Sequence, residues 1–129
     1  MARDFAWRSL VRQLTDAGYE SPYLDRLKAR VDVAQAQSSL EKEIVAEMAA
    51  ALGRAEDKLN VALLRLELAG KDLASAAPNE RPARAVVFDV RRADALRARW
   101  ELVIQRESVG ILRNEVIERM YPIPPRARD

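Results

Sequence analysis

The chain of 129 residues contains no cysteine and no histidine. Without cysteine there is no disulfide framework and no thiolate chemistry. Without histidine the commonest metal ligand and the commonest general base are both gone, so a serine nucleophile would have no imidazole to drive it. The four glycines stand apart from one another, so no phosphate-cradling or dinucleotide-binding loop and no nucleophile elbow can be written from them. Aromatic residues make up only 5% of the chain, which argues against a β-sandwich or barrel. No carboxylates and glycine are spaced as in a calcium loop. The expectation is a chain with no metal and no cofactor, leaning away from enzymatic chemistry.

Long apolar runs are missing too. Nothing approaches the roughly 20 residues of a membrane span. The opening residues carry Arg3 and Asp4 where a secretory signal would be apolar, so the reading is a cytoplasmic protein with no membrane association. Net charge is only +2. The basic residues gather between Arg81 and Arg99, where Asp89 and Asp94 dilute them. That is a solvated arginine face rather than a nucleic-acid surface, and no compact helix-turn-helix accompanies it. The preference for arginine over lysine, with much alanine, suits a GC-rich bacterial genome.

What is present is helical. Hydrophobic residues at 49% and charged residues at 33% suit an all-α chain. Asp4 can cap a short first helix over residues 4–17, with Phe5, Leu10, Val11 and Leu14 at helical spacing, and Gly18 is placed to end it in a left-handed cap. Ser21 and Pro22 read as N-cap and first helical position. From there to residue 76 no proline intervenes. A heptad started at Leu24 runs through Leu27, Val31, Ala34, Ser38, Glu41, Val45, Met48, Leu52, Ala55, Leu59, Ala62, Leu66, Ala69 and Leu73. Periodicity of that length predicts one helix over 22–76.

Ala77-Pro78-Asn79-Glu80-Arg81-Pro82 is the interhelical turn, with Asn79 or Arg81 at the cap. A third helix is expected over 83–120. Tyr121 and Pro122 stop it, and residues 121–129 form an extended proline-rich tail, docked on the bundle through Tyr121 and Ile123. Folding back about the turn places Gly53 nearly level with Gly110. Glycine costs a helix interior about 1 kcal/mol relative to alanine, and close approach of two backbones would explain the pair.

The third helix carries apolar residues on two faces. A heptad from Val86 and Val90 sets Ala93, Arg97, Trp100, Ile104, Glu107, Ile111 and Asn114 toward the hairpin. Leu102, Val109 and Val116 then lie on the far side. Apolar residues on both sides call for cover from two directions. The expected architecture is therefore a long antiparallel helical hairpin with a short N-terminal helix, dimerising into a four-helix bundle. Glu107, Asn114 and Glu41 fall at core positions and call for arginine partners. Arginines recur at 92, 99, 106 and 113, and only Arg92 has an acid at helical spacing, Asp89. Trp100, Arg99, Arg106, Glu107, Arg113 and Asn114 thus form the candidate interface or ligand patch. The expected function is a scaffold or adaptor binding itself or another helical protein. The alternative is a small metal-independent enzyme or anion-binding protein using the same residues.

Overall fold

The structure, a computed structural model, describes residues 6–36 and 43–127. Asp4, Phe5, Ser38 and Glu41 lie outside the described residues, as do the side chains of Ala34 and Val45. Five helices follow in order: α1 (Arg8–Asp16), α2 (Pro22–Ala36), α3 (Glu43–Ala74), α4 (Arg81–Ser108) and α5 (Glu115–Met120).

The helix ends follow local chemistry. Gly18 has φ +74, the Gly18 amide donates to the Thr15 carbonyl and the Tyr19 amide reaches back to that of Leu14. This is the double closure of a Schellman motif, and it needs a residue free to adopt positive φ. Ser21 opens α2 as expected, its Oγ accepting the Tyr23 amide at 3.2 Å. Between α3 and α4 the Ala77 carbonyl accepts the amides of Glu80 and Arg81. Glu80 is the N-cap residue, rather than Asn79 or Arg81, and makes no side-chain cap bond.

The single helix expected over 22–76 is instead two antiparallel helices. Ser21 Oγ lies 3.3 Å from Glu67, and Arg30 Nε lies 3.3 Å from Asp57. In one continuous helix Arg30 and Asp57 would be separated by about 40 Å at ~1.5 Å per residue. The heptad from Leu24 nevertheless identifies interior positions on both pieces, because Leu24, Leu27, Leu59, Leu66 and Ala69 are all buried.

Helix α3 is the central strut. One face packs on α4, where Leu59, Leu63, Leu66 and Ala69 meet Phe88, Ala95, Ala98 and Leu102. Another packs under α1 and α2, where Val61 and Leu64 join Val11, Leu24 and Leu27. The α3–α4 pair is the expected antiparallel hairpin, with Lys58 bridging to Glu101 at 2.7 Å. The α4 face of this pair is largely alanine, with Ala85, Ala95 and Ala98 buried.

Two further expectations about this hairpin are corrected. The third helix does not run from 83 to 120: α4 stops at Ser108, Gly110 takes φ +92, and its Schellman closure bonds Ile111 back to Arg106. Gly53 and Gly110 do not mark a close approach. A Cβ at Gly53 would fall 2.5 Å from Arg30 NH2 on α2, whereas one at Gly110 meets nothing within 4 Å. One glycine makes room for a guanidinium and the other supplies a backbone conformation.

Candidate functional site

Three members of the arginine row hold the protein's own C-terminal segment. Arg106 Nε donates to Asn114 Oδ1 at 2.6 Å, Arg99 to the Tyr121 carbonyl at 3.1 Å, and Arg92 Nε to the Pro124 carbonyl at 2.7 Å. Asp89 continues the row by accepting the Ala127 amide at 2.8 Å. The chemistry is complementary. Prolines 122, 124 and 125 carry no N–H, so the segment offers carbonyl acceptors and few donors, and a guanidinium is all donor. Lacking an acid at helical spacing, Arg99 and Arg106 call for carboxylates across an interface, a ligand or water; the structure supplies a backbone and an amide oxygen.

Tyr121 anchors the segment. It is buried in the α3–α4 core with Ile117, and the Arg26 guanidinium of α2 stands 5.0 Å from its ring centre. Burial, and then the charge of Glu56, raise the Tyr121 phenol above its usual range, against opposing contributions from Arg26 and Arg106 among others. Just before the start of α2 the Tyr19 hydroxyl donates to Glu67, and the phenol is likewise raised, by burial first and then by that hydrogen bond and charge.

The remaining patch residues are open. Trp100, Glu107 and Arg113 are exposed, and Glu107 and Arg113 form no ion pair among the described residues. Glu107 therefore needs no buried arginine partner, contrary to its expected core position. A cavity of about 610 Å³ lies beside Trp100, with Leu96, Val103 and Leu112 on its wall. Its charged lining is Arg99, already engaged, against Glu107, Glu115 and Glu118. An excess of carboxylates repels an anion, so this patch is a poor seat for an anionic metabolite.

The face assignment of α4 is the main correction. Ala85, Phe88, Ala95, Ala98 and Leu102 are the buried residues. The heptad expected to face the hairpin points away from it. Val86 is 64% exposed, Val90 54%, Trp100 64% and Ile104 41%, with Ala93 and Arg97 exposed between them. The spacing from Val86 through Val90, Ala93, Arg97 and Trp100 to Ile104 alternates four and three residues. That is a coiled-coil seam lying on the outside of the molecule. Arg97 makes no ion pair or hydrogen bond among the described residues, while Asp94 beside it reaches Arg91 only at 4.0 Å. The heptad from Val86 and Val90 locates the seam but not its direction, because periodicity does not say which of two apolar stripes meets the partner.

A second concavity went unread. Arg54, Lys58, Val61 and Arg65 of α3 share one helical face, at spacings of four, three and four, and they line a groove with α4. The basic spacing about Val61 was the available signal. Among the described residues no group of acids, histidines or cysteines is placed to hold a metal ion, and no helix is long and apolar enough to cross a membrane. No protein-family model, curated protein or solved structure matches this chain.

Proposed function

We propose that this chain is a helical scaffold that works by docking the outward seam of α4 against another helix, and that the first such helix is α4 of a second copy. The observation carrying the proposal is the exposed four-three alternation from Val86 to Ile104. Isolated exposed apolar residues need no explanation; a continuous stripe at coiled-coil spacing does.

The stripe is complementary to itself when antiparallel. A register setting Val90 against the partner's Trp100 also sets Val86 against the partner's Ile104. It places Arg97 opposite the partner's Ala93, where the small side chain leaves room, and next to the partner's Asp94. Each unpaired guanidinium then gains a carboxylate across a two-fold axis. Two hairpins joined this way make a four-helix arrangement.

Magnitudes make the association modest. About half of each of the four apolar side chains remains to be covered, at about 1 kcal/mol apiece, or roughly 8 kcal/mol for both protomers. Association itself costs on the order of 4–15 kcal/mol. The dimer is thus expected to be concentration-dependent rather than obligate. Light scattering on a dilution series should show mass moving from 14.6 kDa toward twice that value, and Ile104→Lys should hold it at the lower value with an unchanged helical spectrum. A mass fixed at that of one chain up to millimolar concentration would refute self-docking.

A further inference from the structure

We infer that the groove between α3 and α4, on the flank next to Trp7, is a binding site for a small amphipathic anion: a carboxylate or phosphate monoester carrying an aromatic or short aliphatic body. It is separate from the outward seam except for Arg97, which borders both.

The groove has a cavity of about 500 Å³, within the range of about 300–1,000 Å³ that small-molecule sites occupy. Its floor is apolar, made by Val61 and Ala62 of α3 and Ala98 of α4, with the half-buried Trp7 indole at one end. Two of these, Val61 and Ala98, are themselves buried core residues, so the floor is held rigidly by the hairpin and by α1.

The rim is cationic in a specific way. Lys58 is neutralised by Glu101 at 2.7 Å, Arg91 has Asp94 at 4.0 Å, and Asp57 is engaged by Arg30 at 3.3 Å. What remains is Arg54, Arg65 and Arg97, none with an ion pair or hydrogen bond among the described residues. Asp57 is thus taken up by Arg30, and Asp94 stands at the limit of an ion pair with Arg91. In the monomer Arg54, Arg65 and Arg97 surround the apolar floor; in the self-docked dimer, where Arg97 meets the partner's Asp94, Arg54 and Arg65 remain. Low-dielectric walls lined by charge of one sign focus the field into the cleft and raise the local concentration of counter-ions. A guanidinium recognises a carboxylate or phosphate through paired N–H donors. The floor and the indole edge meanwhile offer contact to a ring or short chain.

Inorganic phosphate would satisfy the rim and leave the floor wet. A neutral aromatic would cover the floor and leave three like charges uncompensated. Only a molecule with both parts uses the whole groove. The acidic cavity beside Trp100 lacks this combination, so the two concavities on α4 select opposite charges.

The test titrates the full chain with phenyl phosphate, benzoate, inorganic phosphate and benzyl alcohol, following heat by calorimetry and the Trp7 indole N–H by NMR. Phenyl phosphate or benzoate is expected to bind at least tenfold tighter than inorganic phosphate or benzyl alcohol, to shift the Trp7 signal, and to weaken as salt is raised. Which of the two acids binds better identifies the anionic group. Arg54→Gln and Arg65→Gln, on exposed and unpaired side chains, should each weaken binding about fivefold while leaving the melting temperature and the light-scattering mass unchanged. Both spare the seam, so neither substitution alters the residues proposed for self-docking. Equal binding of the neutral alcohol, equal binding of inorganic phosphate, an unmoved Trp7 signal, or indifference to both arginine substitutions would each overturn the assignment.

Discussion

Gly53→Ala should change sign with the identity of residue 30. In an ordinary helix interior the substitution stabilises by about 1 kcal/mol, since alanine gives up less backbone entropy on folding. Here the new Cβ would stand 2.5 Å from Arg30 NH2 and 2.7 Å from its central carbon. Those atoms are the tip of a flexible side chain, so the guanidinium swings away and α3 keeps its path. The cost falls on what Arg30 was holding. Its Nε is 3.3 Å from Asp57, whose side chain is only 7% exposed, and its NH2 is 3.6 Å from Glu56. A hydrogen bond to a charged, largely buried acceptor is worth about 1.5–3 kcal/mol. The loss exceeds the propensity gain, and Gly53→Ala is expected to destabilise by about 0.5–2 kcal/mol. With Arg30→Met already made, Asp57 has lost this partner and the Cβ meets no guanidinium. The same Gly53→Ala should then stabilise by about 1 kcal/mol. Urea denaturation of the four proteins closes the cycle, with a coupling of about 1.5–3 kcal/mol. If Gly53→Ala stabilises equally in both backgrounds, the glycine is not making room for Arg30 and the reasoning fails.

Tyr121→Ala should cost about 3–5 kcal/mol, as loss of a large buried aromatic does, whereas Tyr121→Phe keeps the ring under Arg26 and should cost far less. Thermal denaturation of both variants checks this, and equal losses would place the effect in the hydroxyl instead of the packing. The raised phenols of Tyr19 and Tyr121 also give alkaline sensitivity a sign. A group whose folded pKa exceeds its unfolded value of 10.0 contributes stability that is whole below pH 10 and is lost as pH rises through the folded value. The melting temperature should therefore fall above pH 10, and less steeply in Tyr19→Phe; a profile flat from pH 9 to 11 would contradict both shifts.

The sequence makes the helices legible wherever termination is chemical. Gly18, Ser21 with Pro22, and the turn from Ala77 to Pro82 each carry a backbone requirement that few residues meet, and each expected boundary lies within a few residues of the observed one. The residues between α2 and α3 include neither proline nor glycine. The heptad ran through them because Leu24 and Leu27 on α2 and Leu59 and Leu66 on α3 all face interiors, though different ones. Val61 and Leu64 fall off that heptad, and they are the residues that α2 covers. An apolar stripe wider than one partner needs was the sign that α3 has two neighbours.

On α4 the heptad continued from Val86 and Val90 exists but faces away from α3, which bears on function. Periodicity locates a stripe but is blind to which of two stripes faces the partner. The heptad selects Val86, Val90, Trp100 and Ile104. The hairpin instead uses Ala85, Ala95 and Ala98 with Phe88 and Leu102, because small side chains let α3 and α4 approach closely and keep dispersion contacts along both backbones. Arg92, Arg99 and Arg106 flank that alanine face, and they look like a polar surface until the C-terminal segment is laid across them. Once the alanines are assigned inward and the arginines to the segment, Val86, Val90, Trp100 and Ile104 stay exposed among the described residues. A helix that folds with its alanines and leaves Trp100 and Ile104 outside leaves open the surface on which the proposed self-docking rests.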